Sequence, residues 1–315
     1  METIMLVPGM QDEVKAAVEG KFEVFDMTGY DKPSDIPGLD PAKVRGTITR
    51  GESHFGDELM SQLPNLEISA NFGVGYDGID VVAAKKRGVM VTNTPDVLTD
   101  ETANTSLMLT LAVTRRLPTL DRIVRSNGWP DVEKELLTNS IVQRKAGVLG
   151  LGRIGRGIAD RLTACGAIVS YCDPIKQDVP YQYFADPVAM AKHCDIFVVA
   201  CLGGDATYRI VNAEVLEAIG PEGYLVNAAR GSIVDEAATI AALKAGKIAG
   251  AGLDVFENEP HVPAELRAME NVVLTPHCGS GTIETRGRMA GLAVANLEAH
   301  FAGKPVLTLV PEHRE

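Results

Sequence analysis

KAGVLGLGRIGRGIADRLTACGAIVSYCD, residues 145 to 173, is the stretch whose reading decides the fold. An apolar run ends at Leu149, and Gly150, Gly152 and Gly155 follow in G-x-G-x-x-G spacing. Ile154, Ile158, Ala159 and Leu162 then recur at helical intervals, and a second apolar run, Ile168 to Tyr171, stops just short of Asp173. Strand, glycine turn, helix and strand in this length make a dinucleotide-binding unit. The three glycines serve different ends. Gly150 permits the tight turn, Gly152 leaves room for a pyrophosphate against the backbone, and Gly155 lets helix and strand pack closely. The helix N-terminus offers N–H groups and a positive dipole end to the phosphates. Asp173 stands where a carboxylate bonds both ribose hydroxyls and repels a 2′-phosphate, so the reading is NAD before NADP, with Lys176 close enough to leave NADP open.

Outward from this unit the same alternation continues. Downstream, Ile196 to Cys201, Tyr224 to Asn227, Ala249 to Asp254 and Val272 to Thr275 read as strands, with helical segments such as Glu214 to Ile219 and Asp235 to Ala245 between most of them. With the first two strands this makes about six parallel strands of a doubly wound α/β sheet. A last long helix, Thr282 to Phe301, leads out of the sheet, and the tail Pro305 to Val310 is too short to be a domain. It is expected to return to the first half, which makes the N-terminal domain discontinuous.

Upstream, residues 1 to about 95 form a smaller α/β unit without a glycine fingerprint: Thr3 to Val7, Phe22 to Phe25, Gly46 to Thr49, Leu66 to Ala70 and Val89 to Val91 read as strands. The loop Asn71-Phe72-Gly73-Val74-Gly75-Tyr76-Asp77 leaves a strand C-terminus, where such sheets bind ligands, and its glycines let backbone N–H groups converge on an anion; on spacing alone an ordinary turn is the better account. Asn93-Thr94-Pro95 looks like a hinge, and Thr99 is a candidate cap for a long helix through Leu107 and Leu111. The segment Arg125 to Pro130, with the single tryptophan Trp129, reads as an exposed arm that is either a core staple or a dimer contact.

Composition narrows the partners. At 315 residues, with 45% hydrophobic and 23% charged side chains, the chain has the make-up of a soluble protein of two domains. A net charge of −12 argues against nucleic acid and anionic membranes, and it means that an anionic small-molecule substrate needs a local cation. Five scattered cysteines without a C-x-x-C pair suggest reduced thiols in a cytoplasm. Cys278, beside a histidine, reads more simply as a small buried residue than as a nucleophile. The first ten residues lack the basic region of a signal peptide, no apolar stretch reaches membrane-spanning length, and no metal-ligand pattern stands out.

Three segments fall at or just past strand ends and so share one crevice: Asn227 to Gly231, Asp254 to Pro260, and Thr275 to Gly279. Arg230, Glu259 and His277 could therefore meet above a nicotinamide. Their chemistry suits reduction of a 2-keto acid. A guanidinium offers a planar bidentate charge for the carboxylate. An imidazole is the natural acid/base near neutrality, and a carboxylate on its other nitrogen favours the protonated form. The hydride comes from NADH. Taken singly, each has a plainer reading: a solvated surface charge, a turn residue before Pro260, a structural histidine after Pro276. Asp254 is an alternative acid, or an acceptor for the carboxamide.

At NFGVGYDGID, VTNTPDVLTDETA, GVLGLGRIGRGIADRL, LVNAARGSIVDEAATIAALKAGKIAGAGLDVFENEP and NVVLTPHCGS the chain closely resembles the D-isomer-specific 2-hydroxyacid dehydrogenases, in order and spacing. The resemblance implies a smaller, flavodoxin-like substrate domain split over residues 1–96 and 292–315, a Rossmann-type nucleotide domain over 97–291, and a homodimer. It implies Arg230 for the substrate's carboxylate and carbonyl, Glu259 as partner of the histidine, His277 as proton donor, and the N–H groups of Val74 and Gly75 for the carboxylate. Gly150, Gly152, Arg153, Ile154, Gly155, Asp173, Leu202, Ala228, Ala229, Arg230, Asp254, His277 and Gly279 are the expected cofactor contacts. TNTPDVLTDETA and CLGG look most like the glyoxylate/hydroxypyruvate reductase branch. Two departures stand out: Asp173-Pro174 where that branch commonly has basic residues for NADPH, and Asn104 where an acidic residue is common. Asp-Pro is shared with phosphoglycerate dehydrogenases, many of which carry a regulatory domain that does not fit this length. A non-enzymatic, NAD-sensing interaction protein of the same fold is the reading from another class.

Overall fold

The computed structural model describes residues 1–51, 53–132 and 136–314, and the chain divides into two compact units: Met1–Leu98 with Thr282–Glu315, and Thr99–Gly281. The second crossing comes earlier than the expected 292. Thr282 accepts the Thr285 N–H on its hydroxyl (3.2 Å) and so caps a helix unbroken from Ile283 to Phe301, which packs within the first unit.

Among the described residues the first unit holds a parallel sheet of five strands, β1 (Thr3–Leu6), β2 (Glu23–Asp26), β3 (Val44–Thr49), β4 (Ile68–Asn71) and β5 (Met90–Thr92), in the order β2-β1-β3-β4-β5. This is the flavodoxin-like strand order. The Ile283–Phe301 helix lies over one face, with Leu297 and Phe301 against Gly46 on β3, where a Cβ would stand only 3.2 and 3.1 Å from them. The tail does return here. Leu309 bridges Thr92 antiparallel, Val310 N–H donates to Val91 O (3.0 Å), and the fully buried Asn296 amide accepts the N–H groups of Leu307 and Thr308.

Among its described residues the second unit holds a fully parallel sheet of seven strands, β6 (Lys145–Leu149), β7 (Ile168–Cys172), β8 (Gln182–Phe184), β9 (Ile196–Val199), β10 (Tyr224–Asn227), β11 (Gly250–Leu253) and β12 (Val272–Leu274). Their order is β12-β11-β10-β9-β6-β7-β8. One strand more than expected is present: β8, an edge strand of three residues, has no apolar run to announce it. Side chains alternate between two cores. Val148, Tyr171, Val198 and Val226 point into one with Leu109, Ile158 and Leu162, while Leu149, Phe197, Val199 and Leu225 point into the other with Met190, Leu216 and Leu243. Fully burying each such aliphatic contributes about 1.5–3 kcal/mol, so both faces must be covered by helices for the strands to be stable. The sequence Gly250-Ala251-Gly252 on β11 admits the helix Thr99–Thr114, whose Leu109 would lie 3.0 Å from a Cβ on Gly252. That helix begins at Thr99 itself, and it ends at Thr114; Arg116 takes a left-handed conformation (φ +49°) before a separate helix, Leu117–Arg125, so the expected single long helix is two.

Because all seven strands run the same way, every strand-end segment singled out in this half of the sequence emerges at one edge of this sheet. Strand order reverses between β6 and β9, which opens the crevice where such sheets bind ligands.

Candidate active site

At β6 the glycine turn has the backbone sterics that its spacing predicts. Gly150 is left-handed (φ +92°), its N–H bonds Cys172 O (2.7 Å), and a Cβ there would sit 2.6 Å from Cys201 Cα. A Cβ on Gly155 would lie 2.0 Å from Gly150 O, so no other residue fits. Gly152 caps the helix Arg153–Ala164 and faces open space, with nothing within 4 Å of a Cβ. This is room of the right kind for a pyrophosphate, beside helix-terminal N–H groups.

Asp173 closes the turn. Its Oδ2 accepts Leu151 N–H (2.8 Å) and its Oδ1 accepts Ile175 N–H (3.1 Å). Each oxygen thus keeps one lone pair for a further donor, and the carboxylate is oriented in advance. Nearby, Arg156 is engaged by Gln177 Oε1, and Leu202, just past β9, is 65% exposed.

The other half of the edge is built from three interlocked turns. Asn227, almost fully buried at the end of β10, accepts Ala229 N–H (3.0 Å) and donates to Arg230 O (2.8 Å), fastening the Ala228–Arg230 turn. Gly231 then presses on the next turn: a Cβ there would be 2.0 Å from both C and O of Phe256. That turn carries Glu259. Phe256 N–H donates to Glu259 Oε1 (3.0 Å), and Glu259 Oε2 meets His277 Nδ1 at 2.7 Å, each side chain 25% exposed. Arg209 supports the turn from outside through two bonds to Glu257 (3.0 and 3.1 Å), and Glu257 N–H donates to Glu236, whose carboxyl burial and the Glu257 charge push up.

Asp254, expected among the cofactor contacts, is completely buried and holds the histidine loop. It accepts Thr275 Oγ1 (2.6 Å), Cys278 N–H (2.9 Å) and Gly279 N–H (2.8 Å), while its own carbonyl takes His277 N–H (2.7 Å). These bonds hold His277 at φ +49°. Gly279 O in turn accepts Thr105 Oγ1 (3.2 Å). Cys278 lies against Asp254, and burial and that charge push its thiol up, away from a nucleophile's range. Glu259 and His277 are thus joined directly, and the Arg230 turn abuts theirs through Gly231. Asn227, Gly231 and the structural use of Asp254 were not legible as site features; only the position of Asn227 as a polar strand end hinted at a fastening role.

In the first unit, Val74 and Gly75 follow β4. Neither N–H has an acceptor among the described residues, and the carbonyls around them are held from within by Asn71 and Asn93. Phe72 lies under the Arg286 guanidinium, 5.6 Å from ring centroid to Cζ. Tyr76 bonds Glu312 (3.0 Å), and its phenol, mainly through burial and then through that carboxylate, is pushed up to about 12. Among the described residues no cluster of His, Cys, Asp or Glu suits a metal ion, and no helix is long and apolar enough to cross a membrane.

A doubly wound parallel sheet with an open glycine turn, a fixed acidic residue at the second strand end, and an imidazole held by a carboxylate beside an arginine turn defines an NAD(P)-dependent oxidoreductase acting on CH–OH groups. The profile of the D-isomer specific 2-hydroxyacid dehydrogenase NAD binding domain matches residues 107–279. The chain is 44% identical over 308 residues to glyoxylate/hydroxypyruvate reductase A of Arabidopsis thaliana, covering 98% of each. It is 42% identical over 308 residues to hydroxyphenylpyruvate reductase of Plectranthus scutellarioides, again covering 98% of each. The crystal structure of an NADPH-dependent glyoxylate/hydroxypyruvate reductase of Sinorhizobium meliloti, in complex with NADP and malonate, superposes with a TM-score of 0.93 at 42% identity, covering 99% of this chain and 98% of that one. The chain belongs to the D-isomer-specific 2-hydroxyacid dehydrogenase family, whose members transfer a hydride between NAD(P)H and 2-keto acids.

Proposed function

We propose that the protein reduces a small 2-keto acid of the glyoxylate or hydroxypyruvate kind to the D-2-hydroxy acid, with NADH preferred to NADPH. The observation that carries the reading is the 2.7 Å pairing of His277 with Glu259, in a turn locked to that of Arg230. Glu259 accepts Phe256 N–H on one oxygen and meets His277 Nδ1 with the other, so in this reading Nδ1 keeps its hydrogen toward the carboxylate, and the proton to be donated is the second one, carried on Nε2 when the ring is an imidazolium. In this reading Arg230 orients the keto acid through carboxylate and carbonyl, and His277 Nε2 gives its proton to the carbonyl oxygen as the alkoxide develops. The bound dinucleotide supplies the hydride. The N–H groups of Val74 and Gly75 are the proposed donors to the carboxylate. The glycine turn, Arg153, Ile154, Asp173, Leu202, Ala228, Ala229, Asp254 and Gly279 are the proposed cofactor surroundings, with Asp254 acting through the loop that it holds.

Support for the substrate class comes from the relatives named as glyoxylate/hydroxypyruvate reductases. The Sinorhizobium relative is NADPH-dependent; the NADH preference is proposed because the Asp173 carboxylate, anchored to two backbone N–H groups, would in this reading repel a 2′-phosphate. A homodimer is proposed from the exposed apolar side chains of the second unit, Met108, Leu117, Val124 and Trp129, at 46, 57, 58 and 63% exposure. Five unpaired cysteines fit a reducing, cytoplasmic setting.

The test is NADH and NADPH oxidation at matched concentrations against glyoxylate, hydroxypyruvate and hydroxyphenylpyruvate, with His277→Ala as control. Turnover with the two small acids, an NADH preference, and loss of turnover but not of NADH binding in the variant are expected. Wild-type turnover in His277→Ala would overturn the assignment of the proton donor, and an NADPH preference would overturn the reading of Asp173.

A further inference from the structure

The geometry points to Asn71 as the positioning residue that gives the 73–76 loop its polarity, with Asn93 as its second support; this rests on the proposal that the loop receives the substrate carboxylate. Asn71 is the last residue of β4 and is fully buried. Its amide nitrogen donates to two carbonyls of the loop, Gly73 O at 3.0 Å and Gly75 O at 2.9 Å. The carbonyl between them, Val74 O, accepts from Asn93 Nδ2 at 3.0 Å, and Gly73 O also takes Thr94 N–H at 2.9 Å. Three consecutive carbonyls are therefore drawn toward the body of the unit.

Peptide planarity converts this into a statement about the N–H groups. In a trans peptide the C=O of one residue and the N–H of the next point in opposite directions. Fixing Gly73 O, Val74 O and Gly75 O inward turns the N–H groups of Val74, Gly75 and Tyr76 outward, and none of the three has an acceptor among the described residues. Successive N–H groups presented this way form a concave anion site. An isolated loop of glycine and valine would have no reason to keep that polarity, because glycine peptides flip readily.

Asn71 does this in a way few residues can. Both amide hydrogens are spent on the two carbonyls, and its Oδ1 is buried without a hydrogen-bond partner. The reverse orientation would set Oδ1 against two carbonyl oxygens, so the observed one is the only workable arrangement. Gly73 makes room for it: a Cβ there would meet Asn71 Nδ2 at 3.3 Å. Serine has one donor in place of two, and aspartate, isosteric with asparagine, has none. The side chain itself has no access to a ligand, since it is 0% exposed. Its effect on substrate passes through the loop.

The experiment is steady-state kinetics of Asn71→Asp, Asn71→Ser and Asn93→Ala with glyoxylate and NADH, with malonate as a competing dicarboxylate. The KM for glyoxylate and the inhibition constant for malonate should rise together, by ~10-fold or more, in line with loss of a charge-assisted hydrogen bond. The kcat should stay within about three-fold, as expected when ground-state and transition-state binding are lost alike, and the KM for NADH should not change. Asn71→Ser should fall between wild type and Asn71→Asp. A purely structural role would lower the melting temperature without moving the two carboxylate constants, and that result overturns the inference. If the Asn71 variants do not fold, Asn93→Ala decides by the same criteria. Should the wild type turn over no 2-keto acid, the functional proposal fails separately. The malonate-induced rise in melting temperature then reads the loop: a rise lost in Asn93→Ala supports the assignment, while a rise retained, or absent from the wild type, overturns it.

Discussion

Replacing Gly231 by alanine is the sharpest perturbation of the proposed catalytic geometry, because the change is one methyl group and its target is backbone. The added Cβ would lie 2.0 Å from Phe256 C and O and 2.6 Å from Glu257 N. Carbon atoms in contact settle at about 3.5 Å, so the two turns must part by ~1.5 Å at this point. Neither has a flexible side chain end to yield: one turn follows directly from Arg230, and the other holds the Phe256 N–H that orients Glu259. A displacement of ~1 Å in a catalytic constellation costs ~10²-fold, and overpacking strain destabilises by about 1–3 kcal/mol. The assay is kcat/KM for glyoxylate with NADH, beside thermal unfolding and NADH binding. A fall of about 100-fold is expected, with a much smaller loss of NADH affinity, since the glycine turn at 150–155 belongs to β6 and the helix after it while only Ala228 and Ala229 of the proposed cofactor surroundings lie in the displaced turn. A folded Gly231→Ala protein with kcat/KM within about three-fold of wild type would show that the Arg230 and Glu259 turns need not be in register, and the reasoning would be refuted.

Two further perturbations follow from the same geometry. In Asp254→Asn one of the two oxygens becomes an NH2 group that must face a hydroxyl or N–H donor of the 275–279 loop, so we expect a loss of about 1–3 kcal/mol in denaturant unfolding and a matching fall in kcat; unchanged stability would mean that the loop is held by other contacts. The Tyr76 phenol is raised to about 12 from an ordinary 10.0, so the folded state keeps a proton that the unfolded chain releases. The associated stability is complete below the unfolded value and is lost as pH climbs through the folded one. Wild type should therefore lose more stability than Tyr76→Phe across that alkaline window, and equal losses in denaturant titrations would count against the Tyr76–Glu312 contact.

What could be read from sequence divides along a physical line. The roles of Gly150, Gly152 and Gly155 were legible because each is a local steric requirement within a few residues. Arg230, Glu259 and His277 were legible as strand-end residues because a parallel sheet delivers all its C-termini to one edge. The bond between His277 and Glu259 was legible only as chemistry. The use of Asp254 was hidden, because its donors lie on a loop beyond the next strand and an acidic strand end looks the same whichever way it turns. The break at Arg116 is marked in the sequence only by Pro118, which stands in the first turn of the second helix and cannot continue the first; the left-handed arginine itself gives no composition cue of the kind glycine gives. β8 was missed because Gln182-Tyr183-Phe184 is an edge strand held by pairing with Ser170 to Cys172, not by an apolar run. Asn71 looked like a turn residue. Its importance depends on two carbonyls meeting one amide, which only the folded loop brings about.

The split of the first unit has a consequence for biogenesis. Its five strands are all translated before Leu98, yet the helix that seals one face and the segment beside β5 come from Thr282 onward. The nascent sheet thus leaves the ribosome with Gly46 and its neighbours uncovered, and stays so while the entire nucleotide unit, which is contiguous, is made and folds. Closure of the first unit is then a long-range event of high contact order, the slow kind of step. The piece synthesised first is the piece finished last.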